Sequence, residues 1–352
     1  MPENRKSVIR LGFAPTRRVL CTPKAFNKDE AQRHGDGEWW RNIENVSLAD
    51  WTPSKMLNRF GVEYLSPCVG AGDLEGLGIL ENLERLDSLV PRVAPSLRMN
   101  AGDDISVETL ERFHAAGCRV VDVSVDDASL LGDAAARRGH RALPTVAAFA
   151  AAHCWTMLLH LGALRETSAR LRAAAGPAGG FAGMRSPVDP AAVAAFLNRL
   201  ESTPNVFSHK EHKEDSTRST CSTRLNTSLP RTILLSLNPE AHAQLAVLAG
   251  SFVEDGVPGK VQLGPAWWWC DHEDGIRDVL EKNAAYGVLS TFVGMTTDSR
   301  SLLSFVRHDY FRRILCKWVA DKVASGAFPD DESLLKPVLE NICYKNAKGI
   351  IS

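Results

Sequence analysis

A carboxylate and a guanidinium stand close together after the last apolar run of the sequence. Asp298 follows the run Thr291–Thr296 by two residues, and Arg300 lies two residues further on. A carboxylate at such a point can ligate a metal or transfer a proton, and a planar guanidinium can bind a carboxylate through two parallel hydrogen bonds. The plainer alternatives are that Asp298 caps the following helix and that Arg300 lies on its surface. The residues alone leave both alternatives open.

Other side chains that could take part in chemistry lie in or beside apolar segments. His160 lies near the end of the run Met157–Gly162, where it could face a site or be a hydrogen-bonded core histidine. Three consecutive tryptophans begin at Trp267. Trp267 and Trp268 could form the wall of a ligand pocket or pack in the core, because large aromatic rings do both.

These residues are carried by short apolar runs that alternate with helical patterns over most of the chain. Most of the runs are continuously apolar, which is typical of strands that are buried on both faces. Parallel strands need a crossover between them, and that crossover is normally a helix. The predicted strands are Val62–Ser66, Arg92–Arg98, Arg119–Val125, Met157–Gly162, Thr232–Leu237, Lys260–Leu263 and Thr291–Thr296.

The segments between the runs carry residues that start helices. Ser106, Asp189, Asn238 and Asp274 each precede a helical pattern, and proline follows directly after Asp189 and Asn238. Repeated strand–helix units predict an α/β fold, a (β/α)8 TIM-type barrel in which one strand is unaccounted for. A doubly wound open sheet is the second possibility, although no G-x-G-x-x-G motif follows an early strand.

Two regions depart from this pattern. Residues 1–37 show no periodicity and are predicted as a divergent segment, whereas residues 38–352 form the barrel domain. Residues 201–230 are polar and predict a disordered surface insertion. His209 and His212 inside it have an H-x-x-H spacing, which in such a polar tract favours a solvated face over a metal site.

Composition excludes several classes of partner. The formal net charge is −1, so no broad field attracts nucleic acid or an anionic membrane. No run of eighteen apolar residues could span a bilayer. The eight cysteines are scattered without a C-x-x-C pair, which favours free thiols in a reducing compartment over a disulfide framework. We therefore predict a cytoplasmic protein that binds neither nucleic acid nor membrane.

Several longer motifs occur in a distinctive order: Pro95–Arg98, His160–Arg165, Val257–Trp269, Gly294–Ser301, Arg307–Arg313 and Asn341–Tyr344. Together they resemble one family, the uronate isomerases, also called glucuronate isomerases, of the amidohydrolase superfamily. The resemblance implies a parallel barrel and an intramolecular oxidoreductase of hexuronate catabolism. Its members interconvert D-glucuronate with D-fructuronate, and D-galacturonate with D-tagaturonate.

The resemblance also implies roles for particular residues and a cofactor. Asp298 and Arg300 match catalytic positions, and Asp298 also matches a ligand of the zinc ion that the family resemblance suggests. The matching substrate-binding positions are Arg98, His160, Arg165, Trp267 and Trp268. A small-molecule hexuronate is the expected partner, and self-association of the chain stays open.

The sequence departs from the family at its metal-binding opening. No H-x-H pair, which supplies two metal ligands in the family, exists in this sequence, so the predicted zinc site is incomplete. The first strand of the barrel is thus predicted to be missing or replaced, with Arg18–Cys21 as the candidate substitute. The alternative function is a catalytically impaired or inactive relative that binds a ligand or a partner, and a hydrolase of the wider superfamily is a weaker third.

Overall fold

A computed structural model describes residues 10–11, 52–74, 92–100, 102–125, 141–176, 182–185, 189–207, 227–298 and 302–351. Residues 208–226, with His209 and His212, lie outside this part of the chain, as do Arg18–Cys21 and Arg300. The division into a 1–37 segment and a 38–352 barrel domain therefore stays a prediction.

The described strands form one large sheet and one small ribbon. The strands are β1 Arg10–Leu11, β2 Pro67–Gly70, β3 Ser96–Met99, β4 Val120–Val125, β5 Thr156–Leu161, β6 Ala163–Arg165, β7 Ala182–Met184, β8 Arg231–Ser236 and β9 Val261–Leu263. The sheet has the order β1-β2-β3-β4-β5-β8-β9; all neighbours from β2 to β9 are parallel, and β1 is antiparallel to β2. Strands β6 and β7 form the antiparallel ribbon.

Helices connect and cover these strands, as the βα pattern predicts. Their bounds are α1 Pro53–Phe60, α2 Val107–Ala115, α3 Leu143–Ala152, α4 Ala169–Ala175, α5 Pro190–Ser202, α6 His242–Ala249, α7 Glu273–Tyr286, α8 Val306–Ala324, α9 Glu332–Glu340 and α10 Asn346–Ile351. A π-helical turn, Asn341–Lys345, joins α9 to α10. Within the described ranges, no helix is long and apolar enough to cross a membrane.

The two faces of the sheet are buried in different ways. Alternate residues such as Val121, Val123, Met157 and Leu159 point to the helices and join the largest apolar cluster. The residues between them point to the other face, which we call the inner face. Its apolar members form a second cluster with the end of the chain: Tyr64, Ala94, Val120, Leu158, Ile233, Leu235, Ala347, Ile350 and Ile351.

The predicted helix starts are confirmed at two positions and wrong at a third. The side chain of Ser106 accepts a hydrogen bond from the backbone of Thr109, and that of Asp189 accepts one from Ala191. Asn238 caps a 3-10 turn, Pro239–Ala241, that leads into α6. Asp274 is not a cap, because α7 begins one residue earlier and the imidazole of His272 accepts from the backbone of Gly275.

Two predicted strands differ from the structure. The strand predicted at Val62–Ser66 begins later, at Pro67, and only a single bridge joins Leu65 to Val93. The run Thr291–Thr296 is not a strand. A 3-10 turn ends at Thr291, and the backbone N–H of Val293 donates to the side chain of Gln262 at 3.1 Å. This side chain provides the hydrogen bond that a neighbouring strand would otherwise supply.

The α/β class with parallel strands is confirmed, although the described strands form an open sheet, in which β1 and β9 do not pair with each other. The margins of the predicted insertion are ordered. Glu201 and Ser202 end α5, and the buried Asn205 donates a hydrogen bond to the carbonyl of Ala148 at 2.9 Å. Residues 227–230 lead directly into β8.

The cysteines follow the prediction only in part. Cys68, Cys118, Cys270 and Cys343 form no disulfide, as predicted. Cys154 and Cys316 are disulfide-bonded, so the prediction of free thiols is wrong for these two residues.

Candidate active site

Four neighbouring strands each contribute one side chain to a polar cluster on the inner face. Cys68 lies on β2, Arg98 on β3, Asp122 on β4 and His160 on β5. Arg98 is the registered partner of Asp122, and His160 is that of Ser124, two residues beyond Asp122. Because the strands are parallel, these groups gather toward the carboxyl end of the sheet, where barrel enzymes carry their active sites.

Asp122 is the centre of this cluster. Its Oδ1 accepts a hydrogen bond from Nη1 of Arg98 at 2.7 Å and lies 2.8 Å from Nδ1 of His160. The thiol of Cys68 donates to Oδ2 at 3.4 Å. Burial alone would raise the pKa of Asp122, but the neighbouring His160 and Arg98 hold that pKa well below its usual range. The carboxylate is therefore ionised at neutral pH.

Arg98 is correspondingly committed to a carboxylate of the protein. Burial would lower its pKa, but the charge of Asp122, with smaller effects of Cys68 and Asp298, raises it. Its Nε donates to the side chain of Asn100 at 3.1 Å. If Arg98 binds a substrate carboxylate, it must do so while its guanidinium is already paired with Asp122.

The β6–β7 ribbon places a second guanidinium beside this cluster. The chain turns at Gly162, which has a φ of 79°, so that β6 leaves the direction of β5. Nη2 of Arg165 donates to the hydroxyl of Ser124 at 2.6 Å, and the guanidinium lies 5.3 Å from the ring of Trp268. Cation–π contact and hydrogen bond together fix the plane of this guanidinium.

Two tryptophans connect the strand cluster to Asp298. The ring of Trp267 lies 4.7 Å from the ring of His160 and 5.0 Å from that of Trp268. Nε1 of Trp268 then donates to Oδ2 of Asp298 at 3.0 Å. Trp268 and Asp298 both have positive φ angles, 48° and 33°, although neither is glycine. Such unfavourable backbone conformations are often found at functional sites.

Six of the seven predicted site residues are thus brought together by the described structure: Arg98, His160, Arg165, Trp267, Trp268 and Asp298. The seventh, Arg300, lies outside the described residues. The sequence analysis missed Asp122, Ser124 and Cys68. An aspartate inside the otherwise apolar strand Val120–Val125 was the available signal, because a buried carboxylate requires a cationic or hydrogen-bonding partner.

The donor groups of this region do not fit a zinc ion. A structural or catalytic zinc takes at least three protein ligands, and no cluster of three histidine, cysteine or acidic side chains with that arrangement occurs among the described residues. Oδ2 of Asp298 is bound by Trp268, and Nδ1 of His160 faces Asp122.

The helix after the site carries its basic residues in different environments. Arg307 pairs with Asp271, and Arg312 and Arg313 pair with Asp309. His308 is buried and stacks on Phe305, with ring centroids 6.5 Å apart. This histidine thus faces the apolar side of α8, whereas a motif rich in arginine suggests a helix surface.

Comparisons with known proteins show which proteins this chain resembles. A family model described as glucuronate isomerase matches residues 208–350. The uronate isomerase of Caldicellulosiruptor bescii is 38% identical over 259 residues, which are 68% of this chain and 51% of that protein. The uronate isomerase of Salmonella paratyphi A is 33% identical over 331 residues, 86% of this chain and 61% of that protein. The chain thus spans about half to three fifths of the length of these curated relatives.

Solved structures show the same fold. The uronate isomerase of Thermotoga maritima matches with a TM-score of 0.67 at 19% identity, over 87% of this chain and 71% of that one. The glucuronate isomerase of Caulobacter crescentus matches with a TM-score of 0.62 at 19% identity, over 85% and 66%. The predicted TIM-type α/β architecture is confirmed by this likeness. The shared fold and the sequence matches make the chain a relative of the uronate isomerases.

Proposed function

We propose that the chain catalyses the aldose–ketose isomerisation of a hexuronate, D-glucuronate to D-fructuronate and D-galacturonate to D-tagaturonate. The observation that carries the proposal is the position of Asp298. Its carboxylate is held by Trp268 and lies near enough to Arg98 to raise the pKa of that guanidinium. The sequence similarity to uronate isomerases supports the same activity.

The isomerisation requires a base that moves a proton between two carbons and a group that moves a proton between two oxygens. It also requires a cation that binds the substrate carboxylate. An aldose becomes a ketose when a proton leaves C2 and another joins C1, while the carbonyl moves from C1 to C2. Asp298 is the candidate base, because its Oδ2 is fixed and its other oxygen can exchange a proton with carbon. A preoriented base of this kind avoids the entropic cost of alignment during the reaction.

The anionic substrate explains the guanidinium groups of the site. A hexuronate carries a carboxylate at C6, and a planar guanidinium binds such a group with two parallel hydrogen bonds. Arg165 is oriented by Ser124 and Trp268, so it can present one edge of its guanidinium to a ligand. Trp267 and Trp268 supply apolar faces against which the sugar ring can pack.

The test is isomerase turnover of D-glucuronate by the purified, monodisperse chain, with and without added zinc. Asp298→Asn should lower turnover at least about 100-fold, the usual contribution of a general base. Asp330→Asn, which removes an exposed carboxylate far along the chain, is the matched control and should retain full activity. Absence of turnover from folded protein in both conditions would overturn the proposal, and binding of D-glucuronate without turnover would favour the non-catalytic alternative. The cytoplasmic location and the oligomeric state stay predictions.

A further inference from the structure

Asp122 and His160 form a buried acid–imidazole pair that the sequence comparison with uronate isomerases did not single out. The side chains are 12% and 11% exposed, and Oδ1 lies 2.8 Å from Nδ1. The ring nitrogen is close to the carboxylate without being aligned for a linear hydrogen bond. Catalytic hydrogen bonds are often poorly aligned without a ligand and tighten when one binds.

The carboxylate in this pair is itself held in place. Arg98 donates to the same Oδ1 at 2.7 Å, and Cys68 donates to Oδ2 at 3.4 Å. Both contacts come from strands on the side of β4 opposite to β5, which carries His160. Asp122 therefore has little freedom to rotate away from the imidazole.

A fixed carboxylate determines which ring nitrogen of His160 carries the proton. A carboxylate accepts hydrogen bonds, so Nδ1 facing it is the protonated nitrogen in the neutral ring. In the neutral ring, Nε2 then keeps its lone pair on the opposite side. Nε2 is thus the nitrogen that can accept a proton from a substrate and, in the imidazolium form, return one. The same relation orients histidine in acid–imidazole pairs of other enzymes, where the acid selects the tautomer and the imidazole transfers the proton.

We infer that Asp122 and His160 act as a proton-transfer dyad, in which Asp122 is the positioning residue and Nε2 of His160 serves the substrate oxygens O1 and O2. The inference rests on the proposed isomerase function. It assigns to Asp298 the proton that moves between carbons, and to His160 the proton that moves between oxygens.

The two assignments balance over one turnover. In the first half, Asp298 takes the proton from C2 while protonated His160 donates its Nε2 proton to O1, which gives a neutral enediol. In the second half, Nε2 takes the proton from O2 while Asp298 returns its proton to C1. The C2 carbonyl has then formed, and both side chains have regained their starting protonation without any external oxidant or reductant.

The first test is independent of activity. Nitrogen-15 NMR of the full chain at alkaline pH, where an ordinary imidazole is neutral, distinguishes protonated from unprotonated ring nitrogens. Comparison with His160→Gln identifies the signals of His160. We expect protonated Nδ1 in the wild-type chain and a shift toward protonated Nε2 in Asp122→Asn. Protonated Nε2 in the wild-type chain, or an unchanged tautomer in Asp122→Asn, would overturn the dyad.

The second test is kinetic and uses the same variants. Asp122→Asn and His160→Gln should each lower kcat on D-glucuronate at least about 100-fold with little change in KM, because the lost interaction belongs to the chemical step. The control is Thr232→Val, which changes a fully buried polar residue of β8 whose hydroxyl donates to the carbonyl of Pro230. It should leave kcat unchanged.

The outcomes separate the two proposals. No turnover from the wild-type chain would overturn the isomerase function, and the proton transfer with it, while the NMR result still decides whether Asp122 sets the tautomer. Normal turnover with undiminished kcat in His160→Gln would overturn the dyad alone. A raised KM at unchanged kcat would also overturn it, because that result assigns His160 to binding only.

Discussion

The inner face of the sheet has two ends with opposite chemistry, although the same strands build both. On β4, Val120 and Asp122 are two residues apart, and on β5 so are Leu158 and His160. The first member of each pair belongs to an apolar cluster that includes the end of the chain, and the second belongs to the ionised cluster. Along these strands, one step of about 6–7 Å thus leads from the apolar cluster to the candidate active site, and Trp267 contacts both.

The two ends are stabilised by different interactions, apolar packing at the amino end and charge pairing at the carboxyl end. At the amino end, apolar side chains and helix α10 exclude water, and packing requires only matching volume. Arg92 closes this end by donating to the carbonyl of Ile351 at 2.7 Å. At the carboxyl end, each buried charge must meet a partner at a fixed distance. The amino end therefore gains net stability from burial. The paired charges of the carboxyl end bring little net gain but fix the positions of groups that can react, and removal of one partner is costly.

The largest stability effect is expected from breaking the ion pair at the carboxyl end. Asp122→Leu leaves Arg98 buried without its carboxylate, and such a loss costs about 3–5 kcal/mol of unfolding free energy. Urea denaturation monitored by circular dichroism measures the difference.

A double variant separates the charge from the volume. Arg98→Met combined with Asp122→Leu removes both charges, so it should recover most of the stability lost in the single variant. If the double variant is as unstable as Asp122→Leu, the carboxyl end is stabilised by shape and not by charge pairing.

A smaller effect is expected at the amino end. Ile233 is fully buried and closely packed, since a Cβ added to Gly264 would lie 2.7 Å from its Cγ2. Ile233→Ala should lower the unfolding free energy by about 3 kcal/mol through lost burial and the cavity left behind. The tautomer of His160 should not change, because the registered partner of Ile233 on β5 is Leu158 and not His160.

Val247→Ala provides the matched control for that variant. Val247 is 56% exposed on α6, so its truncation should change stability by less than about 0.5 kcal/mol. A change in the His160 tautomer in Ile233→Ala would show that the two ends of the inner face are coupled.

The sequence predicts much of this arrangement because most of it follows from local patterns. The parallel strands follow from continuous apolar runs, and the caps at Ser106 and Asp189 follow from the hydrogen bonds that their side chains make within three residues. The run Thr291–Thr296 misled the prediction because the contact that satisfies it, from Gln262, lies about thirty residues away. Apolar content alone does not distinguish a strand from a buried irregular segment.

The site was harder to predict because its geometry depends on pairing across strands. Resemblance to a family identified Asp298 and His160, but it gave no reason to expect that Asp122 holds both Arg98 and His160. That contact depends on the register between β3, β4 and β5, which a single sequence does not specify. The three-residue strand that carries Arg165 is likewise too short to show a periodic pattern.

The smallest effect concerns a buried ionisable group that lacks a counter-ion, the opposite case to Asp122. His308 is 7% exposed, and its Nε2 has no hydrogen-bond partner among the described residues. Burial, reinforced by Arg312 and Arg307, lowers its pKa from 6.5 to about 3.

The imidazole of His308 is thus neutral in the folded chain and gains a proton on unfolding when the pH is below 6.5. Its contribution to stability is complete above that pH and is lost as the pH falls toward 3, by about 1.4 kcal/mol per pH unit. The unfolding free energy of the wild-type chain minus that of His308→Gln, measured by urea denaturation between pH 7 and pH 4.5, should therefore decrease as the pH falls. Effects of Asp122 cancel in this difference, because both proteins contain it. Parallel curves would contradict the prediction and would mean that His308 is protonated within the fold, so that a lone buried charge is tolerated in α8 while the carboxyl end of the inner face requires pairing.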